Sequence, residues 1–133
     1  MKLWKAGVAG VLAVALVAVT TADEALKIKD VMKAAYGKGG LKTTVGKELK
    51  AKSPDWDAVA TQAKTWVSAS ESLGKNTPPK GTAESWKEKC EAYVKAAKDL
   101  EAAAGKKDLK AANAAFAVLT NGKTCGGCHG SHK

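Results

Sequence analysis

The chain is organised around its last nine residues, Cys125-Gly126-Gly127-Cys128-His129-Gly130-Ser131-His132-Lys133. Two thiols three positions apart, with a histidine directly after the second, form the attachment signature of a c-type haem. On a helical turn, residues i, i+3 and i+4 share one face, so both sulfurs can reach the two vinyl groups while His129 points at the iron. The segment therefore predicts one haem c, attached covalently through Cys125 and Cys128, with His129 as the proximal iron ligand.

Three other interpretations of these residues stay open, one of them being that the spacing of the two cysteines is accidental. Cys125 and Cys128 could form a redox dithiol or disulfide. A zinc ion could bind Cys125, Cys128, His129 and His132, but a zinc site normally has a connecting stretch between its two ligand pairs. Here the four candidates lie within eight residues, which favours haem. Because His129 and His132 cannot both bind one iron from the same side, we expect His132 to contact solvent or a haem propionate.

The first residues have the pattern of a secretory signal peptide. Lys2 and Lys5 precede an uninterrupted run of apolar or small residues from 6 to 19, and Thr20-Thr21-Ala22 has the small side chains of a cleavage site. We therefore expect a signal peptide at 1–22 and a domain at 23–133 in the periplasm, where c-type haem is attached. As a helix the run would span only about 21 Å, short of a bilayer core, so stable membrane insertion is not expected. An uncleaved anchor is the alternative.

Charge and cysteine usage narrow the class further. The formal net charge is +9, every basic residue is lysine, and loss of Lys2 and Lys5 would lower the charge by two. The lysines form no block and are not interleaved with aromatic residues, which argues against nucleic-acid binding and favours a solvated face that can attract acidic protein partners. The third cysteine, Cys90, has apolar helical neighbours and is expected to be a buried core residue.

Apolar periodicity predicts an all-α fold, since strand-like alternation is absent from the sequence. The first helix is expected over 23–36, with a short helix over 41–50. The second main helix is expected to have Ser53 as its N-cap, Pro54 at its first position and Gly74 as its end. The remaining boundaries are Thr82 and Gly105 for the third helix and Asp108 as the cap of the fourth, and the stripe of the first helix contains Ile28, Val31, Met32, Ala35 and Tyr36.

Four helices with a haem segment on the last one resemble the class II cytochromes c, the group of cytochrome c prime and its low-spin relatives. The matching residues are Cys125, Cys128 and His129 and, more loosely, 28–32. The resemblance implies a four-helix bundle with haem c bound covalently at the C-terminal helix and with helix one covering the distal face. In low-spin members a methionine on helix one binds the iron, and Met32 stands at the expected position. The alternative for Met32 is a core residue, and the resemblance also makes a homodimer an expectation.

These features predict a periplasmic electron carrier rather than an enzyme. Its iron would have His129 and Met32 as axial ligands and would exchange electrons with redox protein partners. A peroxidase would need a distal base, and helix one contains no histidine. The alternative is a five-coordinate haem that binds nitric oxide or carbon monoxide, with Met32 turned away from the iron.

Overall fold

The computed structural model describes residues 25–133. Within this range the chain forms six helices and no strand, which confirms the predicted all-α bundle. The predicted signal peptide at 1–22 lies outside the described residues. None of the helices in the described range is long and apolar enough to cross a membrane. The helices are α1 (Ile28–Tyr36), α2 (Leu41–Lys50), α3 (Trp56–Gly74), α4 (Ala83–Gly105), α5 (Leu109–Thr120) and α6 (Gly122–His132).

The two longest helices, α3 and α4, pair extensively and form the centre of the bundle. Helix α5 packs against α4, while α1 and α2 pack against α3, and α2 also reaches α5. Helix α6 contacts only α4 and α5 among the described helices. The core therefore draws a large buried side chain from each of the first five helices; the fully buried ones are Val31, Val45, Val59, Trp66, Ser70, Leu100 and Leu119.

Helix α1 begins later than the sequence predicted. The described residues 25–27 are not helical, and Lys27 has an extended backbone (φ −61°, ψ 150°). The reason is a tertiary contact, since the side-chain amide of Asn76 donates a hydrogen bond of 2.7 Å to the carbonyl of Leu26. The apolar stripe is confirmed, because Val31 and Ala35 are buried.

The predicted short helix over 41–50 is confirmed as α2, although Thr43, Thr44 and Gly46 are weak helix formers. At Gly46, packing against α5 compensates for the low helix propensity of glycine. A Cβ at this position would lie 3.1 Å from the Phe116 ring of α5, so glycine allows the two helices to approach closely.

Asp55, and not the predicted Ser53, is the N-cap of α3. Its carboxylate accepts a hydrogen bond of 3.1 Å from the backbone N–H of Ala58, and the helix begins at Trp56. The Asp55 N–H also donates to the Glu48 carboxylate of α2 at 3.2 Å, which ties the turn to the preceding helix. The caps predicted for the third and fourth main helices are confirmed, because Thr82 accepts from the Ser85 N–H and Asp108 accepts from the Ala111 N–H.

Asp55→Ala is expected to lower the free energy of unfolding by about 1 kcal/mol, because an alanine leaves the first N–H groups of α3 without their cap. Urea denaturation measures this loss. Ser53→Ala is the matched control and should leave the stability almost unchanged. A larger loss for Ser53→Ala than for Asp55→Ala would contradict the assignment of the cap.

Candidate functional site

Helix α6 carries the Cys-x-x-Cys-His segment and begins at a sharp break in the chain. Asn121 ends α5 and also caps α6, since its backbone N–H donates to the carbonyl of Ala117 and its side-chain oxygen accepts from the Thr124 N–H at 2.7 Å. Its extended backbone (ψ 151°) turns the chain between the two helices.

The three residues of the signature lie on one turn of α6. The side chains of Cys125 and Cys128 are half-buried, both thiols are free, and His129 is exposed. A Cβ built at Gly126 or at Gly130 would meet no atom within 4 Å, so the helix backbone is accessible on that side. Two thiols and an imidazole at this spacing form a donor set that fits a haem, with Cys125 and Cys128 for attachment and His129 for the iron.

The Cys128 side chain packs against the core cluster and lies near Lys89 of α4. Burial raises the pKa of the Cys128 thiol, while the positive charge of Lys89 on α4 lowers it and the nearby Cys125 raises it again. The Lys89 ammonium lies over the segment, 3.7 Å from where a Cβ of Gly127 would be. Lysine therefore contributes the local positive charge beside the second cysteine.

A chain of hydrogen bonds connects the core with the last turn of α5, directly before α6. The Trp66 indole N–H donates to the Tyr93 hydroxyl at 2.7 Å, and the Tyr36 hydroxyl donates to the Leu119 carbonyl at 2.5 Å. The two tyrosine hydroxyls lie 2.7 Å apart. Because the single proton of Tyr36 is used at Leu119, Tyr93 must donate to Tyr36. The chain therefore runs in one direction, from Trp66 to Leu119.

This chain ties α1 to the end of α5, directly before the helix that carries the thiols. Leu119 lies in the last turn of α5, two residues before the break at Asn121. Its carbonyl therefore has no N–H donor from a following turn of the same helix, and the Tyr36 hydroxyl takes that place. Burial is the main cause that raises the pKa of both Tyr36 and Tyr93; the neighbouring Tyr93 raises the pKa of Tyr36 further, whereas the hydrogen bonds with Trp66 and Tyr36 lower that of Tyr93. The sequence placed Tyr36 on the apolar stripe of the first helix, but no pattern in it indicated that Tyr36 bonds to Tyr93 and Leu119.

Met32 lies on α1, is half-buried and packs against the core cluster. Helix α1 does not pack directly against α6. The structure thus places Met32 on the predicted helix but does not bring it into contact with His129. Ligation of iron by Met32 stays a prediction.

His132 is not a solvent contact, contrary to the expectation from the sequence. Only 3% of its surface is exposed, and both ring nitrogens have partners on the α3–α4 turn and on α4. Packing against that turn, which lies far away in the sequence, buries the ring. Within residues 25–133, no three His, Cys, Asp or Glu side chains gather closely enough to hold a metal ion, so the four candidate zinc ligands do not converge.

Cys90 is buried, as predicted for the third cysteine. Burial raises the pKa of its thiol from 9.0 to about 11, with a further contribution from the neighbouring Cys128. Gly74 of α3 faces it, because a Cβ there would lie 3.6 Å from the Cys90 Cβ. Cys90 is therefore a core residue at the contact between α3 and α4.

The free energy of unfolding is expected to fall as the pH rises through 9 to 11. The folded chain keeps Cys90 neutral up to about pH 11, whereas in the unfolded chain the thiol ionises near its ordinary pKa of 9.0. The stabilising contribution is thus complete below pH 9 and is lost as the pH rises toward 11. Urea denaturation from pH 7 to 10 should show a shallower decline for Cys90→Ala than for the wild type, and equal slopes would contradict this account.

The fold and the site together define an all-α bundle whose last helix carries a Cys-x-x-Cys-His segment. No protein-family model, curated protein or solved structure matches this chain. Membership of the class II cytochromes c therefore stays a prediction.

Proposed function

We propose that this protein is an exported electron-transfer cytochrome c of the class II type, with one haem c attached through Cys125 and Cys128. The observation that carries the proposal is the arrangement of two half-buried thiols and an exposed imidazole on one turn of α6. Its spacing matches the attachment signature of a c-type haem. The proposal includes a four-helix bundle around the haem and a periplasmic location after loss of residues 1–22.

Different residues of this chain would attach the haem and bind its iron. Cys125 and Cys128 would hold the haem by thioether bonds, and His129 would bind its iron. When bound, the haem supplies the one-electron ferric and ferrous couple, and a thioether ligand such as Met32 would raise its potential. The hydrogen-bond chain through Tyr36 and Tyr93 holds α1 at one distance from the α5–α6 break, so little rearrangement would accompany a change of oxidation state.

The protein would make and break no bond in a substrate. Its redox partners would be proteins with acidic surfaces, because α6 carries the exposed Lys123, is followed by the exposed Lys133 and has no acidic residue. Electrostatic attraction of this kind accelerates association at low ionic strength. Electron exchange with such a partner should therefore slow as salt is added, and insensitivity to salt would exclude this docking mode.

A second candidate function is binding of nitric oxide or carbon monoxide at a five-coordinate haem. One observation favours it, namely that the Met32 side chain already packs against the hydrophobic core cluster. An iron held only by His129 would leave its other axial position to a small ligand.

Optical spectra of the protein, purified from an exporting host that attaches c-type haem, separate the two functions. With Met32 as a ligand, we expect a low-spin ferric spectrum with a weak thioether-to-iron band at the red edge of the visible range. Met32→Ala should lose this band and become high-spin. Ile28→Ala, on the same stripe of α1, is the matched control and should keep the band. A high-spin wild type that shifts on addition of carbon monoxide would favour gas binding, and a wild type without any haem spectrum would refute both functions.

A further inference from the structure

His132 connects the end of α6 to the turn between α3 and α4. Its Nδ1 lies 2.8 Å from the carbonyl oxygen of Lys80, and its Nε2 lies 3.1 Å from the Ser85 hydroxyl. The ring also packs edge to face against Trp86, with centroids 5.3 Å apart and an angle of 72°. The imidazole is thus buried against the α3–α4 turn at Lys80 and against Ser85 and Trp86 in the first turn of α4.

The hydrogen bonds determine where the proton of this imidazole resides. A carbonyl oxygen can only accept, so Nδ1 carries the proton and donates to Lys80. Nε2 of the neutral ring then accepts from the Ser85 hydroxyl. Both nitrogens are satisfied without a charge, and a buried ring in this state costs little desolvation energy. The ring is therefore suited to a permanent structural contact.

Gly81 makes this close contact possible. Its φ is +86°, a left-handed conformation that side-chain-bearing residues rarely adopt. A Cβ here would lie 2.5 Å from the His132 Nδ1 and 2.7 Å from the Ser131 carbonyl oxygen. The preceding Pro78 and Pro79 each hold φ fixed, so the turn offers α6 a stiff surface.

We propose that His132 is a positioning residue, which fixes the rotation of α6 about its own axis and thereby the direction in which His129 projects. His132 lies three residues after His129 and four after Cys128, so all three share adjoining positions on the helix surface. The Asn121 cap holds the first turn of α6, and the His132 contacts hold its last turn. The effect on iron ligation rests on the proposed function, whereas the docking of α6 does not.

Hydrogen exchange of residues 122–133, followed by mass spectrometry on the purified full chain, tests the docking. His132→Phe keeps an aromatic ring beside Trp86 but removes both hydrogen bonds, and we expect exchange to accelerate roughly ten- to hundredfold. His132→Asn retains an amide N–H near the position of Nδ1 and should fall between His132→Phe and the wild type. Ser131→Ala is the matched control on the exposed side and should exchange like the wild type. Unchanged exchange in His132→Phe would overturn the proposal.

Gly81→Ala tests the same contact by changing the α3–α4 turn instead of His132. Its Cβ would displace the His132 ring, so exchange of α6 should accelerate as it does in His132→Phe. Exchange at the wild-type rate in Gly81→Ala would show that the turn does not hold the helix, and would also overturn the proposal.

The electron paramagnetic resonance spectrum of the ferric protein tests the positioning role of His132 separately from the stability of the fold. In His132→Phe we expect a second set of paramagnetic resonance signals, because His129 would adopt more than one orientation toward the iron. Asp55→Ala lowers stability at a distance from α6 and should keep the single wild-type set. A single unchanged set in His132→Phe would reduce His132 to a structural contact and overturn the positioning role. A wild type without haem would refute the proposed function, while the exchange result would still decide whether His132 docks α6.

Discussion

Replacement of both Cys125 and Cys128 by alanine is expected to abolish covalent haem in the exported protein. The two thiols lie on one turn of α6, are half-buried and are not paired in a disulfide, so each is free to form a thioether. Without the two thiols, His129 alone would have to retain the haem, and a single exposed imidazole gives no covalent attachment. Peroxidase staining after denaturing electrophoresis and the mass of the intact chain measure the loss, which should be complete.

Cys90→Ala is the matched control for this experiment, because it removes the third thiol of the chain. Cys90 is buried at the contact between α3 and α4 and lies on a different helix from the signature. The variant should keep a full haem stain. Haem that survives denaturation in the double alanine variant would contradict attachment at these residues, and loss of the stain in Cys90→Ala would point to a role that the buried position does not indicate.

Trp66→Ala is expected to cause the largest loss of stability of any single substitution considered for this protein, about 3–5 kcal/mol. Trp66 is fully buried at the centre of the bundle, and its ring packs edge to face against Tyr36 and Phe116 with centroid distances of 6.2 Å. Its N–H also begins the hydrogen-bond chain to Tyr93. Alanine would leave a cavity and remove the donor to Tyr93. Small domains have only about 5–15 kcal/mol in total, so much of the variant could be unfolded at 37 °C.

Urea denaturation of the Trp66→Ala variant, with Trp56→Ala as its matched control, measures this effect. Trp56 is the first residue of the same helix and is only half-buried, so the identical substitution should cost clearly less. Equal losses at the two positions would show that the centre of the core is not at Trp66. A larger loss of stability for Trp56→Ala than for Trp66→Ala would contradict the packing of α1, α3 and α5 around the Trp66 ring.

The sequence alone determined the features that depend on local geometry. Helical period placed Val31 and Ala35 on a buried stripe, and side-chain chemistry identified Thr82 and Asp108 as caps, because a cap bonds to an N–H group only three residues away. The spacing of Cys125, Cys128 and His129 on one helical turn is also a local property. The all-α fold and the position of the candidate site were predictable for this reason.

Only the tertiary structure decided the contacts between residues that are far apart along the chain. The Tyr36 hydroxyl bonds to Leu119, and His132 is buried by Lys80 and Ser85, at separations that no helical period encodes. The N-cap of α3 falls at Asp55 because the backbone there also reaches Glu48 of the preceding helix. Such bonds depend on how whole helices pack together, and burial of their apolar faces is the main driving force of that packing.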